Sequence, residues 1–373
     1  MLIKYANLPE GVVPMRRALM VAAASCLLAL GAAACGDDDE AEPAGTSGDS
    51  QEQAALPEVE FTSIETDVPE GYDEPEPGDY RLAYLNPVQA NEFLSTMGEA
   101  MRLETERLGG SMTELDAKGD VDTQVSQFNQ LIAQDVDGIA VFALDPGSVA
   151  PAVERATEAG IELVTIDLTF ESTEDIGQFG SQVWQRRDEA AYLGAQEMAR
   201  RAGEGGQVAT IDFAIKVPSI VYSIERGKHW AEQFGLEILG NASNPSDDIA
   251  GGQQAMTELL GKFPDMSGVI AYNDPSAIGA AAAARTQGNR DLVFGGQNGG
   301  SDALEAIKAG RQTYSARLDP ISMGKAFSWG LYNLLEGKEV PKTVKAGAPE
   351  IVTEENVDQV KTWEQMLEEE YGG

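Results

Sequence analysis

A chain of 373 residues with 42% apolar residues is long enough for two domains of ordinary size. Its 62 acidic residues against 26 Lys and Arg give a formal charge of −36, which argues against nucleic acid as a partner, because phosphate binding is driven by basic residues. One His and two Cys leave too few ligands for a multi-histidine or cysteine-rich metal site.

The first 35 residues differ from the rest. Arg16 and Arg17 precede an uncharged run from Ala18 to Ala34, and small residues lead to Cys35. This pattern predicts an export signal over 1–34, with a run too short for a membrane span. The Cys at the junction resembles the lipobox of bacterial lipoproteins, although Ala32 stands where that motif usually has Leu; the resemblance implies lipid on Cys35 and attachment to the outer face of the cytoplasmic membrane or a periplasmic location. Met15 offers a more typical start than Met1. From Gly36 to Asp79 there are 16 acidic residues and no Lys or Arg, so residues 35–79 read as a disordered, solvated tether.

After Tyr80 strands and helices alternate. Residues 81–85 form a short apolar run, followed by a helix carrying Phe93, Met97, Met101 and Leu108 on one face. A strand over 111–115 leads to a helix with Val121, Val125, Phe128 and Ile132; residues 138–143 read as a strand buried on both faces. Asp145-Pro146-Gly147 turns the chain into a helix that Gly160 closes, and a strand over 161–166 follows. Further strands are expected near 207–213, 236–240, 268–272, 291–295 and 312–318. This alternation predicts parallel sheets covered by helices, with too many units for one sheet. The fold class is α/β, with two doubly wound parallel-sheet lobes.

Five blocks carry a family resemblance: Gln130–Pro146, Glu158–Asp167, Gly268–Ala280, Ala303–Gly310 with Asp319, Pro320 and Gly324, and Ile351–Val357. In this order they resemble the ribose-binding-type periplasmic proteins, the type I sugar-binding proteins of ABC transporters, over about 80–360. The resemblance implies a three-strand hinge and a ligand enclosed between the lobes, where strand carboxyl ends converge. It assigns 80–182 with 319–347 to the N-terminal lobe and 183–318 with 348–373 to the C-terminal lobe.

Carried over position by position, the resemblance implies binding roles for Asn91 and Phe93 in the first loop, the latter stacking on a sugar ring. Asp167 and Asn273, at strand ends, would meet hydroxyl groups, and Asp274 would cap the next helix. Gln297, Arg317, Trp184 and Tyr222 complete the expected ligand set. Where the family commonly has Arg, this chain has Leu168 and Ile224; Gln297 and Leu318 are further departures. A pocket poor in charged forks is thus expected to hold a neutral sugar, polyol or related molecule by amides, one carboxylate and aromatics. Gly295–Gly300 lacks the lysine of a phosphate loop and reads as a permissive ligand loop. His229 lies in a helix beside Trp230 with no nucleophile motif near it, so catalysis is not expected.

The resulting expectation is a monomeric, lipid-anchored solute-binding protein without a cofactor that delivers its ligand to an ABC permease. A sensing module for a membrane receptor is the alternative, with an exported carbohydrate-active enzyme behind it.

Overall fold

The structure, a computed structural model, describes residues 55–61, 68–171 and 174–372. The export signal, Cys35 and the first part of the tether lie outside the described residues.

The first sheet is built from β1 (Arg81–Asn86), β2 (Ser111–Asp116), β3 (Gly138–Val141), β4 (Glu162–Ile166), β5 (Ser181–Trp184) and, from much later in the chain, β11 (Thr343–Lys345). Its order is β11-β5-β4-β3-β1-β2, parallel throughout. The connecting helices are α1 (Glu92–Arg107), α2 (Val121–Ala133) and α3 (Pro146–Glu158). Asn91, Asp120 and Asp145 cap them by accepting from the first-turn amides of Phe93, Thr123 and Ser148.

The second sheet has order β12-β10-β9-β8-β6-β7, with β12 (Glu350–Thr353) antiparallel at one edge. Its other strands are β6 (Gln207–Phe213), β7 (Glu237–Asn244), β8 (Gly268–Ala271), β9 (Val293–Asn298) and β10 (Tyr314–Arg317). Around them pack α4 (Arg187–Ala202), α5 (Pro218–Gln233), α6 (Ile249–Lys262), α7 (Asp274–Thr286) and α8 (Ser301–Lys308). Two helices return toward the first lobe. In α9 (Pro320–Leu335), Phe327 and Leu331 join Leu82, Tyr84, Met97 and Met101 in one core. In α10 (Trp363–Tyr371), Trp363 meets Phe93 of α1 edge to face.

The chain passes between sheets three times: from β5 into α4, from β10 into α9, and from β11 to β12. The lobe boundary expected after 182 runs through β5, which belongs whole to the first sheet. Strands β5 and β11 were not singled out by periodicity, because each is three or four residues long and mixes polar with apolar positions.

The tether reading is corrected at its C-terminal end. Val68 and Tyr72 are buried, and the Tyr72 hydroxyl donates to Ser181 Oγ at 2.9 Å. The Lys345 amide donates to the carbonyl of Pro69, and Asn333 Nδ2 to that of Asp73, both at 2.8 Å. Gly330 leaves room for the Tyr72 ring, 3.0 Å from where a Cβ would stand. The acidic composition conceals a few apolar residues at intervals that fit the surface of the body, and burying them outweighs the entropy of ordering the segment.

Tyr72→Ala is expected to lower unfolding stability by about 3 kcal/mol, and Tyr72→Phe by about 1 kcal/mol. Urea titration of both variants measures this; unchanged midpoints would restore the tether to residue 79.

Candidate functional site

The carboxyl ends of both sheets face a cleft, which brings together side chains far apart in sequence. At the end of β4 stands Asp167; at the start of α4, just past the first crossing, stands Arg187. Arg187 Nε donates to Asp167 Oδ2 at 3.0 Å, with 7% and 2% of the two side chains exposed. The Gln185 amide donates to Asp167 Oδ1 at 3.0 Å, and Arg187 Nη2 donates to Gln185 Oε1 at 2.8 Å. Burial pushes the Asp167 carboxyl up and the Arg187 guanidinium down, and the attraction between them opposes both shifts. An ion pair this deep costs several kcal/mol of lost hydration per ion.

Asp167 borders two spaces between the lobes. One, of about 270 Å³, is lined by Phe170, Trp184, Arg187 and Tyr222 as well as Asp167. The other is a narrow void with Phe142 and Leu168 on one side and Val217, Pro218 and Ser219 on the other. Trp184 Nε1 donates to the carbonyl of Thr169 at 2.7 Å, which fixes the indole as a wall. Phe170 of the first lobe stacks on Tyr222 of the second, centroids 4.0 Å apart and planes 4° from parallel. The lobes therefore touch across the cleft.

A second polar group lies further along it. Asp247 accepts from Tyr272 Oη at 2.5 Å, from Asn273 Nδ2 at 2.7 Å and, from the first lobe, Asn91 Nδ2 at 3.4 Å. Burial raises the Asp247 carboxyl. Nearby, Glu92 Oε2 accepts from the amide and hydroxyl of Ser301, a further bridge between lobes. Asp167, Arg186 and Asp247 all have left-handed backbone, with φ of +45°, +54° and +56°. Such conformations cost about 1–3 kcal/mol each; Lys118, Asp135 and Asn298 share the positive φ elsewhere in the described chain.

Several expected residues occupy other roles. Phe93 is buried at the start of α1 with its ring against Trp363, so it belongs to the core at this helix end. Asn273 is itself the cap of α7, accepting from Ser276. Asp274, expected as the cap, is instead the first helical residue; it accepts from Gly299 N at 2.7 Å and Gln312 Nε2 at 2.6 Å. Arg317 is engaged by Glu350 at 2.9 Å and by the carbonyl of Lys361 at 2.8 Å, with its guanidinium over Trp363; it clasps the last crossing to the C-terminal segment. Gln297 Oε1 accepts from Ser223 at 2.7 Å, while its Nε2 is buried without a partner among the described residues. Gly295 and Gly296, expected in a ligand loop, lie within β9; a Cβ there would collide with the Tyr314 ring and with Asp274, so their absence of side chain is a packing requirement.

The largest difference concerns charge. A pocket poor in charged forks was expected because Leu168 and Ile224 stand where the family commonly has Arg; Arg187 supplies a guanidinium from 20 residues downstream of Asp167. The Arg186-Arg187 pair after a short strand was the available signal, and it reads equally well as a solvated helix start. Among the described residues no cluster of His, Cys, Asp or Glu is arranged for a metal ion, and no helix is long and apolar enough to cross a membrane.

Burial raises the Asp274 carboxyl to about 7. In the unfolded chain it titrates near 4, so the native state binds more protons between these values and stability falls as pH rises from about 4 to about 7, then levels. Asp274→Asn should remove that part of the slope; urea midpoints taken across this range, with equal slopes in both proteins, would contradict the assignment.

The family model for the periplasmic binding protein domain matches residues 82–339. Over 258 residues the chain is 29% identical to the ribose import binding protein of Bacillus subtilis strain 168, covering 69% of this chain and 82% of that protein. It is 32% identical over 203 residues to the xylitol-binding protein of Mycolicibacterium smegmatis, covering 52% and 55%. Among solved structures it is similar to an ABC transporter solute binding protein from Bacillus halodurans C-125 with bound myo-inositol, at a TM-score of 0.67 and 25% identity, covering 76% of this chain and 98% of that one.

Proposed function

Because the chain belongs to the periplasmic binding protein family, a family of receptors and not of enzymes, we propose that it captures a neutral polyhydroxylated solute between its lobes and presents it to an ABC permease. The observation that carries this reading is the buried Asp167–Arg187 pair, both members of which line the larger interlobe space, with Asp167 bordering the narrow one as well. A carboxylate accepts from hydroxyl hydrogens and a guanidinium donates to hydroxyl oxygens, so the pair offers both halves of the hydrogen bonding that an alcohol needs. As the pair is internally neutralised, a neutral ligand adds no uncompensated charge to a buried site. Ser219 Oγ, which lines the narrow space and is buried without a partner among the described residues, is a further polar atom that a hydroxyl group would satisfy. Trp184, Phe170 and Tyr222 supply apolar faces suited to ring C–H groups. Ribose, xylitol and myo-inositol, named for the relatives, have this chemistry in common.

Asn91, Asn273 and Asp247 serve in this reading as the latch that joins the lobes on closure, so the ligand acts by shifting an open–closed equilibrium toward the form that the permease accepts. The cleft is complete within one chain, consistent with a monomer. Cys35 would carry the lipid that keeps the receptor at the membrane.

Calorimetric titration with pentoses, hexoses and polyols should give one-to-one binding for at least one of them. At one hundred times the dissociation constant the ligand should stabilise the fold by about 2.7 kcal/mol. Asn273→Ala should weaken the same binding by about 1–3 kcal/mol, and Asp167→Asn by at least as much. A panel without binding, or affinity unchanged in both variants, would contradict the proposal.

A further inference from the structure

The 55–61 segment precedes the family-matched residues and was expected to be solvated leash, yet it is seated on the second lobe. Phe61 packs on Tyr192 and Trp230, with centroids 5.0 and 5.7 Å away. The Tyr192 hydroxyl donates to the carbonyl of Val59 at 3.0 Å, and Leu56 and Val59 lie against the same apolar cluster. Phe61 also lines the 270 Å³ cavity, with Asp167, Trp184, Arg187 and Tyr222. Residues 69–72 are held on the first lobe and at the hinge. Tyr72 bonds Ser181, Glu70 pairs with Arg186 at 2.8 Å, and Pro69 accepts from the amide of Lys345 in β11.

We propose that this segment is a working part of the receptor and that Phe61 is a specificity-determining wall of the ligand cavity, supplied by the tether rather than by either lobe. The proposal rests on the cleft being the ligand site. Aromatic lining from Phe61, Trp184 and Tyr222 favours a ligand with an apolar face, and removing one of these rings opens the cavity to water. The leash that links body to membrane thereby takes part in ligand retention.

The test uses the full chain with Phe61→Ala and the conservative Phe61→Leu, each checked for native circular dichroism. Without ligand, acrylamide quenching of tryptophan fluorescence should increase in Phe61→Ala, as Trp230 and Trp184 lose their cover, and increase less in Phe61→Leu. With whichever of D-ribose, xylitol or myo-inositol binds the parent protein, Phe61→Ala should lose affinity by about tenfold, mainly through faster dissociation, with Phe61→Leu between. Binding by the parent with equal affinity in Phe61→Ala overturns the proposal and leaves the cleft reading intact. If none of the three binds the parent, the cleft reading fails for them, and the quenching comparison repeated in a Trp230→Phe background, where Trp184 is the tryptophan that lines the cavity, decides whether Phe61 walls it; quenching equal in all three proteins overturns it.

Discussion

A carboxylate and a guanidinium taken out of water at the first crossing between lobes constrain much of the structure around them. Neither Asp167 nor Arg187 is tolerable alone at its burial, since removing one partner leaves an uncompensated charge. The pair therefore fixes the end of β4 against the start of α4. It also fixes the intervening turn, where Gln185 bonds both partners and Asp167 and Arg186 adopt left-handed backbone. Well-packed apolar residues would hold this junction at least as firmly. Ligand binding gives a reason to retain charges that stability alone does not.

The rest of the cleft follows from that anchor. One apolar cluster contains residues of both lobes, among them Phe142 and Ile166 from the first and Phe213, Val217 and Tyr272 from the second. Polar bridges from Asn91 to Asp247 and from Glu92 to Ser301 cross the same gap. These contacts describe a closed arrangement, joined at one end by the hinge and the Phe170–Tyr222 stack and at the other by short polar links. A ligand favours this state only by as much as it binds it better than the open one.

The architecture was legible in the sequence because alternating apolar runs and capped helices are local signals: Asp145-Pro146 starts α3 and Gly160 ends it just as the pattern implies. The site was legible less completely. Asp167 was visible as an acid at a buried strand end. Arg187 was not, because its nearness to Asp167 depends on β5, a four-residue strand with two polar positions. Asn273 took the capping role expected of Asp274, since either side chain can cap a helix and only the buried partners of Asp274, Gly299 and Gln312, decide between them. The docked end of the tether was hidden by its composition: the charges of 55–79 dominate an average, whereas Phe61, Val68 and Tyr72 determine where the segment lies.

The central claim is that a hydroxylated ligand is held between the lobes against the Asp167–Arg187 pair. A crystal structure of the protein grown with the tightest-binding sugar or polyol tests it most directly. The account predicts the ligand enclosed by both lobes, with a hydroxyl within hydrogen-bonding distance of Asp167 or Arg187 and a carbon face toward Trp184 or Tyr222. A ligand bound outside the cleft, with no contact to either member of the pair, would contradict it.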